Sequence, residues 1–398
     1  MRVLRTLIAG CLSSVVLLCL TRQASAQDAN ADVALRAQDR AVVRVYSQRS
    51  FSSQVDAGFA TGQTRITPVL SGSYGTGFVV SNDGLIVTAH HVVENAFFWL
   101  VIFPGSIEPH AAVPVYVDTE HDIAVLKIDG TYRDLVTVPA RDRALAAGET
   151  ISVAGYPREF AQRTPAVAQG IVSRVTNDGK VEASMAVNEG DSGGPVCDRD
   201  GRLVGLMIER GDPDQGLQGI AVFQPLRHVR NALLSYDRLA REAAHVPNGQ
   251  GAVTEELRRR QPLSQALVNT LAIDIRDGET DAESRARVVR YLGHAEAALP
   301  TVREPEDAAI AVSAAWDAII RVLERHQAVD VVNLRDLELR HRVASLVAAA
   351  SELAERTVAH VAYFVWNLVF LRDIAWQHGS VLAMPVPPRA PEQTQHTN

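Results

Sequence analysis

The stretch GIVSRVTNDGKVEASMAVNEGDSGGPVCDRDGRLVGLMI, residues 170–208, decides the fold class. It holds three β-type runs, GIVSRVT (170–176), KVEASMAV (180–187) and RLVGLMI (202–208), and two Asp-Gly pairs, Asp178-Gly179 and Asp200-Gly201. Both residues tolerate the left-handed backbone of a tight turn, so Asp-Gly between apolar runs is a strong hairpin signal. Strands joined by hairpins, with no helix between them, imply an antiparallel all-β barrel or sandwich. Outward from here the same pattern continues. AVVRVYS (41–47), GFVVS (77–81), LIVTAHHVV (85–93), FFWLVIF (97–103), VPVYV (113–117), IAVLKI (123–128) and ISVAGY (151–156) precede the stretch, and GIAVF (219–223) follows it. A third pair, Asp83-Gly84, marks another hairpin. Residues 225–244 then turn helical, with Leu226, Val229, Leu233 and Leu239 on one stripe.

After Pro247-Asn248-Gly249 the period becomes helical. Thr280-Asp281-Ala282-Glu283 is a capping box opening a helix to about Pro300, and a second, Ala-rich helix follows Pro305. A long helix is expected from about Asn333 to Gly379, carrying the aromatic series Tyr363, Phe364, Trp366, Phe370 and Trp376. Its apolar stretch 358–371 includes His360 and Asn367 and suits a buried helix better than a membrane span. The tail 385–398 has the composition of a disordered end. The expected organisation is therefore a leader at 1–26, an all-β domain at 38–244, a helical domain at 250–380 and a tail at 385–398.

At 398 residues the chain is too long for one ordinary core. Hydrophobic residues at 47% and charged residues at 21% exclude wholesale disorder. The net charge of −7, with scattered arginines and only two lysines (Lys127 and Lys180), argues against a nucleic-acid partner. Residues 1–26 read as an export signal: Arg2 and Arg5, an apolar run, then Ala24-Ser25-Ala26 as a cleavage site. Too few apolar residues precede Cys11 for a lipid-anchor reading to be preferred. Cleavage would remove Cys11 and Cys19 and leave Cys197 alone, which excludes a disulfide scaffold and reads as a buried core thiol.

Chemistry concentrates at Gly190-Asp191-Ser192-Gly193-Gly194-Pro195. A serine hydroxyl becomes a nucleophile when a general base takes its proton, and flanking glycines let a carbonyl approach closely. The amides of Gly190 and Ser192 can then point at one developing oxyanion. The same residues satisfy G-x-S-x-G, but that elbow needs a helix after the serine, and here VCDRDGRLVGLMI reads strand–turn–strand. Upstream lie Thr88-Ala89-His90-His91-Val92-Val93 and His121-Asp122-Ile123-Ala124-Val125-Leu126. No metal site is read, since HExxH and paired cysteines are both missing, and no cofactor is expected.

Together these motifs resemble the chymotrypsin-fold serine peptidases, closest to the bacterial HtrA/Deg type, over about residues 38–235. The resemblance implies two perpendicular β-barrels and an endopeptidase that acts on polypeptides through an acyl-enzyme. Position by position it makes His91 the general base, Asp122 its orienting carboxylate and Ser192 the nucleophile. His91 is preferred over His90 because the motif places the histidine in its fourth position, Thr88 being the first; adjacent strand residues face opposite sides. Asp122 is preferred over Asp118, read as a solvated turn residue. The substrate pocket is expected at Ala186, on its floor, and Ile208, on its wall, with Glu189 at the lip; no carboxylate there would pair with a basic side chain. The chain departs from the pattern in two ways. Asp191 stands where HtrA proteins usually carry Asn, expected to face solvent or a cation, and no PDZ module is recognisable in the region that follows. A latent or purely binding module is the alternative, and the helical region either covers only its own core or serves self-association or partner docking.

Overall fold

The computed structural model describes residues 40–57, 64–157, 163–211, 219–243, 249–271 and 279–328, with short helical stretches between 342 and 353. The leader, the tail and most of the long helix expected at 333–379 lie outside these residues.

Twelve strands form two closed barrels of six. The first contains β1 (Val42–Ala57), β2 (Thr64–Val79), β3 (Leu85–Ala89), β4 (Phe98–Ile102), β5 (Pro109–Asp118) and β6 (Ile123–Ile128), in the order β1-β2-β3-β6-β5-β4. The second contains β7 (Thr150–Gly155), β8 (Ala166–Val175), β9 (Val181–Met185), β10 (Pro195–Asp198), β11 (Leu203–Arg210) and β12 (Ile220–Pro225), in the order β10-β11-β12-β9-β8-β7. The Asp-Gly pairs at 83–84, 178–179 and 200–201 join consecutive strands, and Gly84, Gly179 and Gly201 take the positive φ such turns require.

Strands β3 and β6 are apolar apart from Thr88 and Lys127, because both of their faces are largely covered. Ile86, Ala89, Ala124, Leu126 and Ile128 fill the first barrel. Their neighbours Leu85, Val87, Ile123 and Val125 instead join a second core with Leu203, Leu206 and Ile208 of the other barrel. Full burial of such side chains contributes roughly 1.5–3 kcal/mol each, so this shared core fixes one barrel against the other. Helix α2 (Leu226–Ala243), following the one-turn α1 (His90–Val93), completes that core with Leu226, Val229 and Ala232. Leu239, expected on the same stripe, is 45% exposed: the buried face ends a turn earlier, with Leu233 and Tyr236 at its margin.

Helix α3 (Gly249–Leu271) carries Pro262 in its interior. Gln261 Nε2 donates to the Pro109 carbonyl at 2.6 Å, and the Ala111 amide donates to Gln261 Oε1 at 2.9 Å, which satisfies strand groups of β5. The barrel unit accordingly extends to Ser264. The second unit contains α4 (Asp281–Ala298), a 3₁₀ turn (Leu299–Thr301) and α5 (Pro305–Ala328). The capping box forms as read: Thr280 Oγ1 accepts from the Glu283 amide and Glu283 Oε2 from the Thr280 amide. Tyr291 and Leu292 of α4 and the alanine-rich face of α5 are buried.

Candidate active site

Strand register brings the first pair of residues together. In the β3–β6 ladder Ala89 lies opposite Ile123, so the residues just beyond, His90-His91 and Asp122, meet at the same end. His90 and His91 open α1 rather than ending the strand, which corrects the strand reading of 85–93. Asp122 holds φ at 54°, a left-handed conformation uncommon for a side-chain-bearing residue. There its carbonyl accepts from the His90 amide at 3.1 Å and its Oδ1 from the His91 amide at 2.8 Å. Its Oδ2 lies 2.7 Å from His91 Nδ1. An amide donor on one oxygen and the ring on the other fix both the carboxylate and the imidazole. Arg49 of β1 donates through Nη2 to the His91 carbonyl. The His90 ring takes no part; its nearest charged partner is Glu94, 4.0 Å away. Asp118 is no solvated turn residue: it accepts from the His121 amide at 3.1 Å and sits 2.9 Å from the His121 ring.

Ser192 arrives from the other barrel on the turn before β10. The amide of Gly193 donates to the Met207 carbonyl at 2.7 Å, and Met207 returns a bond to the Gly194 carbonyl at 2.9 Å. Thr76, fully buried in β2, ties the two barrels together at this point. Its amide donates to the Ser192 carbonyl at 2.8 Å and its hydroxyl to the Gly190 carbonyl at 2.6 Å, while the Tyr156 amide donates to that hydroxyl at 2.9 Å. Gly190 has φ of 99°, and an added Cβ would overlap the Tyr156 carbonyl oxygen, so only glycine fits. The amides of Asp191, Gly193 and Gly194 all find backbone acceptors. Those of Gly190 and Ser192 donate to none among the described residues.

His91, Asp122 and Ser192 line one cleft of about 430 Å³. Ile208, Gln224, Glu120, Glu209 and Lys180 complete its wall, none but Ile208 singled out by the sequence. Ser192 Oγ donates to the Ile208 carbonyl at 3.4 Å; no hydrogen bond joins it to the His91 ring among the described residues. Ala186 is exposed and off this cleft. Asp191 neither faces solvent nor meets a cation among the described residues: it is 5% exposed and accepts from the Asn188 amide at 2.8 Å. Burial raises its carboxyl above the ordinary aspartate range, opposed by that one bond. Cys197 is a core thiol, pushed up to about 12 by burial and by Asp198.

Two closed barrels sharing a core, with histidine and aspartate on one and serine on the other, define a chymotrypsin-like double barrel. Residues 75–206 match the model of the trypsin-like peptidase domain. It is similar to "Serine protease HTRA4" of Homo sapiens, 32% identical over 215 residues, which are 51% of this chain and 43% of that one. It is also similar to "Probable periplasmic serine endoprotease DegP-like" of Pseudomonas savastanoi pv. phaseolicola, 33% identical over 180 residues, 42% and 36% of the two chains. The solved serine endoprotease from Yersinia pestis aligns with a TM-score of 0.42 at 24% identity, over 52% of this chain and 66% of that one. The chain thus spans less than half the length of the curated relatives it matches.

Proposed function

We propose that the chain is an exported serine endopeptidase that cleaves polypeptides through His91, Asp122 and Ser192. The observation that carries this reading is the His91–Asp122 bond of 2.7 Å in the cleft that Ser192 lines. Ser192 attacks the scissile carbonyl and His91 Nε2 takes its proton, while Asp122 holds the ring with Nδ1 as donor and balances the imidazolium. The unengaged amides of Gly190 and Ser192 receive the oxyanion. His91 then protonates the leaving amine, and water, deprotonated by His91, releases the acyl group from Ser192. Ile208 lines the substrate side of the cleft. Export accords with the leader-like residues 1–26 and with the periplasmic DegP-like relatives. Among the described residues no helix is long and apolar enough to cross a membrane.

A latent resting state is the second reading, favoured by the Ser192 hydroxyl turning to the Ile208 carbonyl. Catalytic hydrogen bonds are often loose without substrate, so the two readings differ in reactivity rather than in parts. A fluorophosphonate probe decides between them. Labelling of wild type and not of Ser192→Ala is the expected result. Equal labelling of both overturns the assignment, and labelling only after a peptide is added identifies latency.

A further inference from the structure

Behind the His91–Asp122 pair two imidazole rings lie face to face. His121, in the turn that presents Asp122, stacks on His228 in the first turn of α2, with ring centroids 3.8 Å apart and planes 24° off parallel. The His121 ring and amide are both bonded to Asp118, which closes the turn from Asp118 to Asp122. The other side of the stack is fixed, because Leu226 and Val229 seat α2 in the shared core. The charged groups facing the rings are Asp118 at the end of β5, Asp142 between β6 and β7, and Arg227 on α2 itself. Arg227 Nη1 and Asp142 Oδ2 are 3.9 Å apart. Burial, His121 and Arg227 hold His228 below the ordinary histidine range, against the pull of Asp118 and Asp142.

We propose that His228 is a positioning residue for Asp122, acting through its stack on His121, and that protonation of both rings parts the stack and makes the site acid-sensitive. The proposal rests on the His91–Asp122–Ser192 reading. Two neutral rings, or a cationic ring over a neutral one, attract at this separation; two cationic rings repel. A second proton is therefore accommodated only by separating the rings. Separation takes away the surface against which the His121 ring packs, leaves that ring to Asp118, and so loosens the turn that carries the 2.7 Å His91–Asp122 bond.

The test measures the rate of fluorophosphonate labelling of Ser192 in the full chain from about pH 4 to pH 9, each variant normalised to its own plateau. Protonation of the general base alone gives an acid limb of slope one; the stack steepens it towards two. His228→Phe keeps a flat ring against His121 and takes no proton. It should return the slope to one. His228→Lys places a permanent charge there and should label about tenfold more slowly at pH 8, with its thermal midpoint reporting folding. Identical slopes in wild type and His228→Phe overturn the proposal. If wild type is unlabelled at every pH, with and without added peptide, the peptidase reading fails on its own. The downfield Nδ1 proton of His91 then reads the position of Asp122. Its broadening as the pair titrates supports the proposal, and an unchanged signal overturns it.

Discussion

Two turns flank the cleft, each carrying an aspartate, and they are built on opposite terms. In the 118–122 turn Asp122 is partly exposed and holds an amide and an imidazole on its two oxygens. In the 188–194 turn Asp191 is buried against Gly155 with a single amide donor and no cation among the described residues. The first carboxylate has both oxygens engaged by what it positions. The second is held as a charge by too few donors. What keeps the second turn in place is therefore its backbone: the Gly193–Met207 exchange and the Thr76 bonds to Gly190 and Ser192. One turn is organised by its acid and the other in spite of it.

The largest expected effect tests the first half of that contrast. Asp122→Asn keeps the shape and the bond from the His91 amide, but presents an N–H to the His91 ring and so favours the wrong tautomer. The labelling rate of Ser192 should fall by about 10⁴-fold with little change in the thermal midpoint. A fall of less than tenfold would show that the turn, and not the carboxylate, does the orienting. The second half is tested by Gly190→Ala, whose methyl must displace the Tyr156 carbonyl and whose φ of 99° is strained for alanine. Moving one amide away from the oxyanion should cost on the order of 10²–10³-fold in peptide turnover. Unaltered turnover would remove Gly190 from the oxyanion site.

The strand pattern and all three hairpins were legible in the sequence because each rests on local chemistry: apolar runs punctuated by Asp-Gly. The double-barrel class came from the order of three motifs together with that pattern. What was not legible depends on partners distant in sequence. Thr76 lies between two glycines in a strand, and nothing local says that its hydroxyl bonds Gly190, 114 residues on. His228 is an ordinary helix position until the fold lays it against His121. Asp118 and Asp191 were misplaced for the same reason. An aspartate in a polar turn reads as solvated, and only the packed chain reveals that one clamps His121 and the other is buried. Helix α3 was not delimited because its apolar residues are interrupted by Pro262 and a run of arginines, and its anchoring comes from Gln261 bonding β5.

The smallest expected effect bears on Asp191 and has a definite sign in pH. Burial raises its folded-state carboxyl above the unfolded value, so the protonated form is the one the fold favours. Below the unfolded value the group costs nothing. As pH rises from there to the folded value the native state holds the extra proton, stability falls, and above it the loss is complete and constant. Asp191→Asn preserves an oxygen acceptor for the Asn188 amide and has no proton to lose. Its thermal midpoint should therefore match that of wild type in acid and exceed it at pH 7–8. About 1 kcal/mol would appear as a rise of about 2–4 °C in a unit of this size. The opposite result, an Asn variant less stable than wild type at pH 8, would mean that a cation reaches Asp191 in solution. The two turns would then both be organised by their acids, and the contrast between them would be broken.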